Sequence, residues 1–239
     1  MPRPEIKESI SPWAAETARL RAAYARRQCG DLYSWFQPAY LFHIQQRECR
    51  VLDLLRDLGL SRLEGRKILE VGCGTGLWLG EFIKWGAGPE NLTGIDLLAE
   101  RLVAARLTLP PRVGLLQANA ASLPFPAGAF DLVLQSTVFT SILDAVMKQA
   151  VAKEMLRVLK PRGLILWYDY HCNNPWNNAV RGVKKKEIHA LFPGCRIRLA
   201  RVTLAPPLTR LLAPYSFLLC AFLEKLRFLN THYLGVIGK

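Results

Sequence analysis

The segment from Lys67 to Gly76, which has Gly72, Gly74 and Gly76 at alternate positions, constrains the fold of this chain more than any other feature. It begins as an apolar run typical of a buried strand, and a second apolar run ends in Asp96, about twenty residues later. Glycine lets a backbone turn sharply and approach a ligand, because no Cβ stands in the way. An acid at the tip of the next strand is well placed to bind both ribose hydroxyls. The pattern predicts an enzyme with a nucleotide-like ligand at the ends of two neighbouring strands.

Strands and helices alternate along the rest of the chain. Strands are predicted at 67–71, 92–95, 113–117, 130–134, 164–168, 196–204 and 231–237. Helices are predicted at 76–85, 99–107, 142–159 and 184–192, and a turn is predicted at 160–163. Such alternation requires an α/β fold whose parallel sheet carries helices on both faces.

Composition narrows the class of protein. Apolar residues make up 51% of the 239 residues, which excludes a disordered chain. We expect no transmembrane helix and no secretory signal, because no long uninterrupted apolar run is present. The six cysteines lack metal-ligand spacing, so we expect reduced thiols, no metal and a cytoplasmic location. The net charge of +13 leaves open nucleic acid, an anionic membrane surface or an anionic small substrate as partner.

The glycine spacing differs from the dinucleotide fingerprint G-x-G-x-x-G, because Gly76 follows Gly74 after one residue rather than two. Glu70 lies two residues before the first glycine, where a carboxylate suits a cationic ligand or an amine better than a pyrophosphate. These residues resemble the first motif of the class I S-adenosylmethionine-dependent methyltransferases. The segments 94–96, 119–125, 130–134 and 157–163 are similar to later motifs of that family, in the same order.

The resemblance implies a Rossmann-like, doubly wound, mostly parallel sheet of seven strands with an antiparallel last strand. It also implies S-adenosylmethionine as cofactor, and it is closest to the small-molecule enzymes of quinone, lipid and natural-product pathways. Asp96 should hold the ribose, Leu97 the adenine ring, and Asn119 the adenine amine, although most members of the family have aspartate at that position. The full set of expected cofactor contacts is Glu70, Gly72, Cys73, Gly74, Gly76, Asp96, Leu97, Asn119, Ala120 and Gln135.

The acceptor side is less clear from the sequence. Methyl transfer from a sulfonium is an in-line displacement, so the enzyme mainly aligns the acceptor and excludes water. A hydroxyl or amine acceptor must also lose a proton, and a nearby base helps. The candidate catalytic residues are Asp169, Tyr170 and His171 after the fifth strand, and His43 in the second helix. A structural role is an alternative for each of them.

Two further regions are candidate covers of the site. Residues 1–60 are predicted to form a lid of two helices, from Ser11-Pro12 to Cys29 and from Pro38 to just before Gly59, in front of a methyltransferase domain at 61–239. Lid residues that could line an acceptor pocket are Tyr24, Tyr33, Trp35, Phe36 and Tyr40. The apolar insertion 206–230, interrupted by Pro214, is expected to pack on the lid, accept a hydrophobic substrate or touch a bilayer.

The sequence therefore favours methyl transfer to a small acceptor, hydrophobic or anionic, at oxygen, nitrogen or carbon. An RNA or protein methyltransferase is an alternative that the basic charge favours, although no nucleic-acid-binding module is recognisable. A binding protein for the same cofactor without transferase activity is a second alternative. An NAD-dependent oxidoreductase is disfavoured by the glycine spacing. The sequence does not settle the oligomeric state.

Overall fold

The computed structural model describes residues 13–26, 30–174 and 177–239. Within them, one sheet of seven strands has the order β3-β2-β1-β4-β5-β7-β6. The strands are β1 Ile68–Val71, β2 Leu92–Asp96, β3 Gly114–Gln117, β4 Phe130–Ser136, β5 Leu159–Tyr170, β6 Arg196–Leu204 and β7 Asn230–Gly238. The helices are α1 Ala14–Ala25, α2 Pro38–Asp57, α3 Leu77–Lys84, α4 Ala99–Thr108, α5 Ala145–Val158, α6 Lys185–Leu191, α7 Pro206–Leu212 and α8 Phe217–Glu224.

Strand β7 alone runs antiparallel to its two neighbours, which confirms the predicted sheet with an antiparallel last strand. In the centre, Val71 of β1 pairs with Ile95 of β2 and Gln135 of β4. The carboxyl ends of β1, β2, β4, β5 and β6 therefore meet the beginning of β7 at one edge of the sheet. We call this the carboxyl edge, and ligands of open α/β sheets bind there.

Each face of the sheet is covered by helices. On one face, Ile68 and Leu132 of the sheet share a core with Val51 and Leu55 of α2 and with Phe82 of α3. On the other face, Leu69, Val133 and Ile165 pack with Val151 and Met155 of α5. Strands buried on both sides explain the nearly continuous apolar runs in the sequence.

The predicted element bounds agree with the structure except in a few places. Strand β5 begins at Leu159, so the predicted turn at 160–163 lies inside the strand, where its register with β4 shifts. Helix α5 begins at Ala145 rather than at residue 142, because the Asp144 side chain accepts a hydrogen bond from Met147 N at 2.6 Å and caps the helix. The predicted limits of the first helix, Ser11-Pro12 and Cys29, lie outside the described residues.

The insertion 206–230 forms α7 and α8, and Pro214 lies between them as expected. Its inner side chains share a small core with Phe42 of α2, and its outer side chains are exposed. Of the helices in the described ranges, none has the length and apolar character needed to span a bilayer. The cytoplasmic location and the domain boundary at residue 60 stay predictions.

The end of β7 lies at the opposite edge of the sheet. Gly238 pairs with Leu164, and the Nζ of Lys239 donates to the carbonyl of Leu159 at 2.6 Å. This edge, which we call the amino edge, also contains the Asp131 carboxylate, which accepts from the Lys67 amide at 2.9 Å and from Lys160 Nζ at 2.7 Å.

Candidate active site

The turn between β1 and α3 requires its glycines. Gly72, Gly74 and Gly76 have φ of 70°, 53° and 81°, in the left-handed region that glycine adopts without cost. A Cβ on Gly72 would lie 2.6 Å from Val138 Cγ2, and one on Gly76 would lie 2.5 Å from Leu109 Cδ1. The turn therefore brings bare backbone to the carboxyl edge.

Asp96, at the end of β2, fixes the position of this turn. Its carboxylate accepts hydrogen bonds from Gly74 N at 2.8 Å and from Leu98 N at 3.0 Å, and the side chain is 8% exposed. The amide of Cys73 donates to the carbonyl of Ile95 at 2.8 Å, which ties the turn to β2 a second time. The sequence placed Asp96 correctly beside the glycines, but it did not indicate that this carboxylate also holds the turn together.

Two buried polar side chains near the turn each have one atom without a partner. Glu70 Oε2 is buried and unpaired, although the Leu79 amide hydrogen-bonds to the carboxylate. Burial raises the pKa of Glu70 well above its usual range, with Asp96 adding to this and Arg47 opposing it. Gln135 accepts from Val138 N at 3.2 Å through Oε1, while its Nε2 is buried and unpaired. Buried groups of this kind are rare, and each costs about 1–3 kcal/mol when it has no partner.

Arg101 of α4 lies directly against the turn. Its guanidinium occupies the space that a Cβ on Gly74 would fill, and it stacks on the Tyr24 ring at 5.0 Å from the centroid. Its Nε is buried without a partner. The sequence analysis missed this residue, because only the packing of α4 beside β2 and β3 brings its side chain to the turn.

Helix α1 covers this part of the carboxyl edge. Glu16 accepts from Leu143 N at 2.6 Å and forms an ion pair with Arg19 at 2.8 Å. Burial opposes ionisation of Glu16, but these hydrogen bonds outweigh it and lower its pKa. The Arg19 guanidinium donates to the carbonyls of Ser141 and Ala179. The lid prediction therefore fits α1, whose Tyr24 hydroxyl lies 3.3 Å from Ser141 Oγ.

The expected adenine side lies next to α1. A groove of about 500 Å³ is lined by Arg21, Ala22, Ala25, Leu97, Leu98, Ala99, Glu100 and Gln117. Asn119 accepts from Ala121 N at 2.9 Å and shapes the loop after β3, where Ala120 packs against the core. Arg157 holds the same loop, donating to the carbonyls of Leu123 and Phe125. The structure thus groups Leu97, Asn119 and Ala120 on one side of the turn.

Asp169, a predicted catalytic candidate, is fully buried and already bonded. Its carboxylate accepts from the amide and hydroxyl of Thr140 and from the Tyr170 amide at 2.9 Å. Burial raises its pKa to about 6, against the opposing effect of the Thr140 hydrogen bonds. These contacts anchor the segment after β4, which carries Ser141 and Leu143 to α1.

Each of the two candidate histidines donates to a backbone carbonyl. His171 Nε2 lies 2.8 Å from the Asn230 carbonyl, and His43 Nε2 lies 3.1 Å from the Leu204 carbonyl. Since a carbonyl oxygen only accepts, each Nε2 carries a proton when the ring is neutral. Burial lowers the pKa of His43 to about 4 and also lowers that of His171, so both rings are neutral near pH 7.

Tyr170, the fourth candidate, belongs to a polar and aromatic cluster that the sequence analysis did not recognise. Its ring lies 3.8 Å from that of His232, which stacks on Tyr168 at 4.7 Å. The Tyr168 hydroxyl bonds to Thr203 Oγ1 at 2.9 Å. Thr203 has φ of 68°, an uncommon conformation for a β-branched residue. Arg47 lies over Trp78 and Tyr168. The signal that could have found this cluster is the alternation of Tyr168 and Tyr170 on one face of β5.

The remaining lid residues lie elsewhere than predicted. Tyr33 and Trp35 contact Tyr40 at 5.8 and 5.4 Å between ring centroids, at the start of α2. Phe36 is 96% exposed. These residues lie close in sequence to Phe42, which contacts Phe217 of the insertion. Tyr24 instead packs on Arg101, whose guanidinium lies against the glycine turn. The expected pair of covering helices is therefore split between two places.

Comparison with known proteins agrees with this geometry. Residues 68–163 match the family model described as a methyltransferase domain. Over 162 residues the chain is 31% identical to the ubiquinone/menaquinone biosynthesis C-methyltransferase of Shewanella woodyi, covering 61% of this chain and 62% of that protein. Over 122 residues it is 34% identical to the demethylmenaquinone methyltransferase of Lactococcus lactis, covering 48% and 47%. The chain spans about half to three fifths of the length of these curated relatives.

Residues 68–163 therefore form a methyltransferase-like domain. A SAM-dependent methyltransferase from Archaeoglobus fulgidus has the same fold, with a TM-score of 0.58 at 15% identity over 84% of this chain and 99% of that one. The family match agrees with the predicted family and with the predicted cofactor, S-adenosylmethionine. In the described ranges, no group of three or more His, Cys, Asp and Glu side chains around the methyltransferase domain or elsewhere is placed to hold a metal ion.

Proposed function

We propose that this protein transfers a methyl group from S-adenosylmethionine to a small apolar acceptor at the carboxyl edge of its sheet. The observation that carries the proposal is the pair of unpaired buried atoms, Glu70 Oε2 and Gln135 Nε2, on neighbouring strands beside the glycine turn. Leaving them unpaired opposes folding, so a ligand that satisfies both offsets this cost.

The side chains present fit that cofactor. Its amino acid part carries an ammonium group, which donates, and a carboxylate, which accepts. Glu70 offers a free acceptor and Gln135 a free donor, so the two ends have complementary partners. Gly72 is half-buried and has no side chain, so a ligand can approach the backbone there, and Asp96 stands at the end of the neighbouring strand for the ribose. When bound, the cofactor supplies an electrophilic methyl group.

On the acceptor side, residues of this chain orient the acceptor and enclose the site. At the end of β5, the half-buried ring of Tyr170 packs on His232, which is buried on Tyr168, and an aromatic surface of this kind suits a flat apolar molecule. Helix α1 excludes water from the cofactor side through its contacts with Ser141 and Leu143. Enzymes named for quinone methylation are among the relatives, which supports an acceptor of that size and polarity.

Where the acceptor atom carries a proton, His171 removes it. The ring is half-buried at the carboxyl end of β5, and its lowered pKa keeps it neutral and able to accept a proton at pH 7. Asp169 acts as a positioning residue, because its carboxylate is bonded to Thr140. His43 and Tyr170 line the same half of the edge.

Two measurements test this function. Calorimetric titration with S-adenosylmethionine and S-adenosylhomocysteine should show binding that weakens in Glu70→Leu and Gln135→Leu. Transfer of a radiolabelled methyl group should then be sought with quinols, phenols and sterols as acceptors. Absence of binding would overturn the proposal at its first step. Tight binding without transfer to any acceptor would show a cofactor-binding protein, and transfer to RNA or protein substrates would correct the acceptor class.

A further inference from the structure

Large apolar side chains are exposed mainly in two segments of the molecule. Phe36 is 96% exposed, Tyr215 87%, Leu218 82% and Phe228 75%. We call the following set the apolar rim: Leu32, Tyr33, Trp35, Phe36, Leu211, Tyr215, Leu218, Leu219, Phe222, Leu226 and Phe228. Isolated exposed apolar residues are normal, but a concentration of this kind marks an interaction surface.

Both segments of the apolar rim are attached to the beginning of α2. Tyr40 holds Tyr33 and Trp35 in edge-to-face contacts, and two residues later Phe42 holds Phe217 at 5.5 Å between ring centroids. The next residue, His43, contacts the Leu204 carbonyl at the carboxyl end of β6. Both segments of the apolar rim therefore border the start of α2, next to the carboxyl end of β6.

Helix α8 shows that this surface is not a by-product of packing. Its Cys220 and Glu224 are buried, one turn apart, and secure the helix to the protein. Leu218 and Phe222, also one turn apart, are 82% and 62% exposed. The eight residues of the helix contain one charged residue, Glu224, and that residue points inward. A helix that is apolar all round is normally covered on all sides.

The charges around the apolar rim identify what covers it. Arg210, Lys225 and Arg227 are exposed beside the rim residues of the insertion. The only acid of the insertion, Glu224, is 4% exposed and accepts from Thr203 N at 2.9 Å. Asp31 adds one exposed carboxylate in the other segment. A second copy of this surface would bring like charges together, whereas anionic lipid headgroups complement it.

We propose that the apolar rim inserts into the interfacial layer of an anionic lipid bilayer, with Arg210, Lys225 and Arg227 on the headgroups. Aromatic and leucine side chains beside basic ones are the composition of interfacial membrane-binding surfaces. Docking of this kind turns the carboxyl edge toward the membrane. If the proposed function also holds, an apolar acceptor reaches the site from the bilayer without crossing bulk water.

Cosedimentation with vesicles tests the docking directly. The wild-type chain should bind vesicles of phosphatidylglycerol and phosphatidylcholine, and bind pure phosphatidylcholine at least tenfold more weakly. Leu218→Asp/Phe222→Asp should lower binding to the anionic vesicles at least tenfold. Leu107→Asp is the matched control, because Leu107 is 83% exposed on α4 outside the apolar rim, and it should bind like the wild type. Lys225→Glu/Arg227→Glu should bind the anionic vesicles more weakly than the wild type. The difference should be largest at low salt, where the charges are least screened.

Light scattering and cofactor titration complete the experiment. All variants should remain monomeric and bind S-adenosylhomocysteine as the wild type does, so failure of docking and failure of the proposed function are separated. Vesicle binding that survives Leu218→Asp/Phe222→Asp would overturn the proposal. So would a stable wild-type dimer that this variant converts to monomers, since the apolar rim would then be a protein interface.

Discussion

The two halves of the carboxyl edge are built in different ways. At the ends of β1, β2 and β4, backbone amides and glycines form the surface, and Asp96 holds them through two hydrogen bonds. At the ends of β5, β6 and β7, side chains form it, and His43 and Leu204 meet although they are 161 residues apart in the chain. The first half, which we call the cofactor half, suits a cofactor of fixed shape. The second, the acceptor half, can change the acceptor that it binds by side-chain substitution without disturbing the cofactor half.

The largest expected effect concerns the cofactor half. Asp96→Ala removes two hydrogen bonds to a charged acceptor, each worth about 1.5–3 kcal/mol, and lets the glycine turn move. We expect S-adenosylhomocysteine to bind roughly a hundredfold more weakly or worse, as measured by calorimetry. Asp131→Asn is the control, because this carboxylate also binds a backbone amide and a lysine, but at the amino edge. It should lower the melting temperature and leave affinity unchanged. Equal losses in both variants would remove the distinction between the halves.

A buried histidine of the acceptor half should make the stability of the fold depend on pH. Because burial lowers the pKa of folded His43 to about 4, the neutral ring stabilises the fold above pH 6.5, and that contribution is lost as the pH falls toward 4. The loss amounts to about 3 kcal/mol at pH 4. Urea unfolding of His43→Gln between pH 4 and 7 should therefore show a flatter profile than the wild type. His189→Gln, at an exposed histidine, should keep the wild-type slope. A slope unchanged in His43→Gln would mean that the ring is not desolvated.

Helix α1, which covers the cofactor half, can be tested by comparing two ion pairs. Glu16–Arg19 and Asp53–Arg56 are both ion pairs three residues apart on a helix, but Glu16 also accepts the Leu143 amide, whereas the second pair is exposed. Glu16→Gln should loosen α1 by about 1–2 kcal/mol and release bound S-adenosylhomocysteine roughly tenfold faster in stopped-flow experiments. Asp53→Asn should change neither quantity, since exposed pairs contribute little. If both variants released the cofactor as slowly as the wild type, α1 would not be the element that retains it.

The smallest effect tests the strained segment of β6. Tyr168→Phe removes the hydroxyl bonded to Thr203 and should cost about 1 kcal/mol of unfolding free energy while leaving cofactor affinity intact. Tyr215→Phe, at a tyrosine that is 87% exposed, should be neutral in the same denaturation experiment. If Tyr168→Phe weakened cofactor binding instead, the two halves would be coupled through β5.

The same division explains what the sequence could predict. The cofactor half comes from contiguous motifs, in which Gly72, Gly74 and Asp96 occupy fixed positions relative to strand ends, so alternation and spacing suffice. Arg101 was not found from the sequence, because its contact with Gly74 depends on how α4 packs against β2 and β3. In the acceptor half, His232 meets Tyr168 only through the antiparallel pairing of β7 with β5, and no local pattern encodes that register.

The aromatic lid residues show a further limit of sequence reasoning. Helical periodicity showed that α2 is amphipathic, but it gave no direction for its apolar side. The structure turns that side to the sheet through Val51 and Leu55. Tyr33 and Trp35 pack on Tyr40 at the start of α2, whereas Tyr24 of α1 packs on Arg101 beside the glycine turn.

The return of β7 to the amino edge has a practical consequence for handling this protein. The strand starts with Asn230 beside the site and ends with Gly238 next to Leu164, so its nine residues span roughly 30 Å. A dye or linker attached at residue 239 therefore lies on the side of the molecule that faces away from the carboxyl edge. Immobilisation through that residue presents the carboxyl edge to solution, which is the orientation that surface-based binding measurements require.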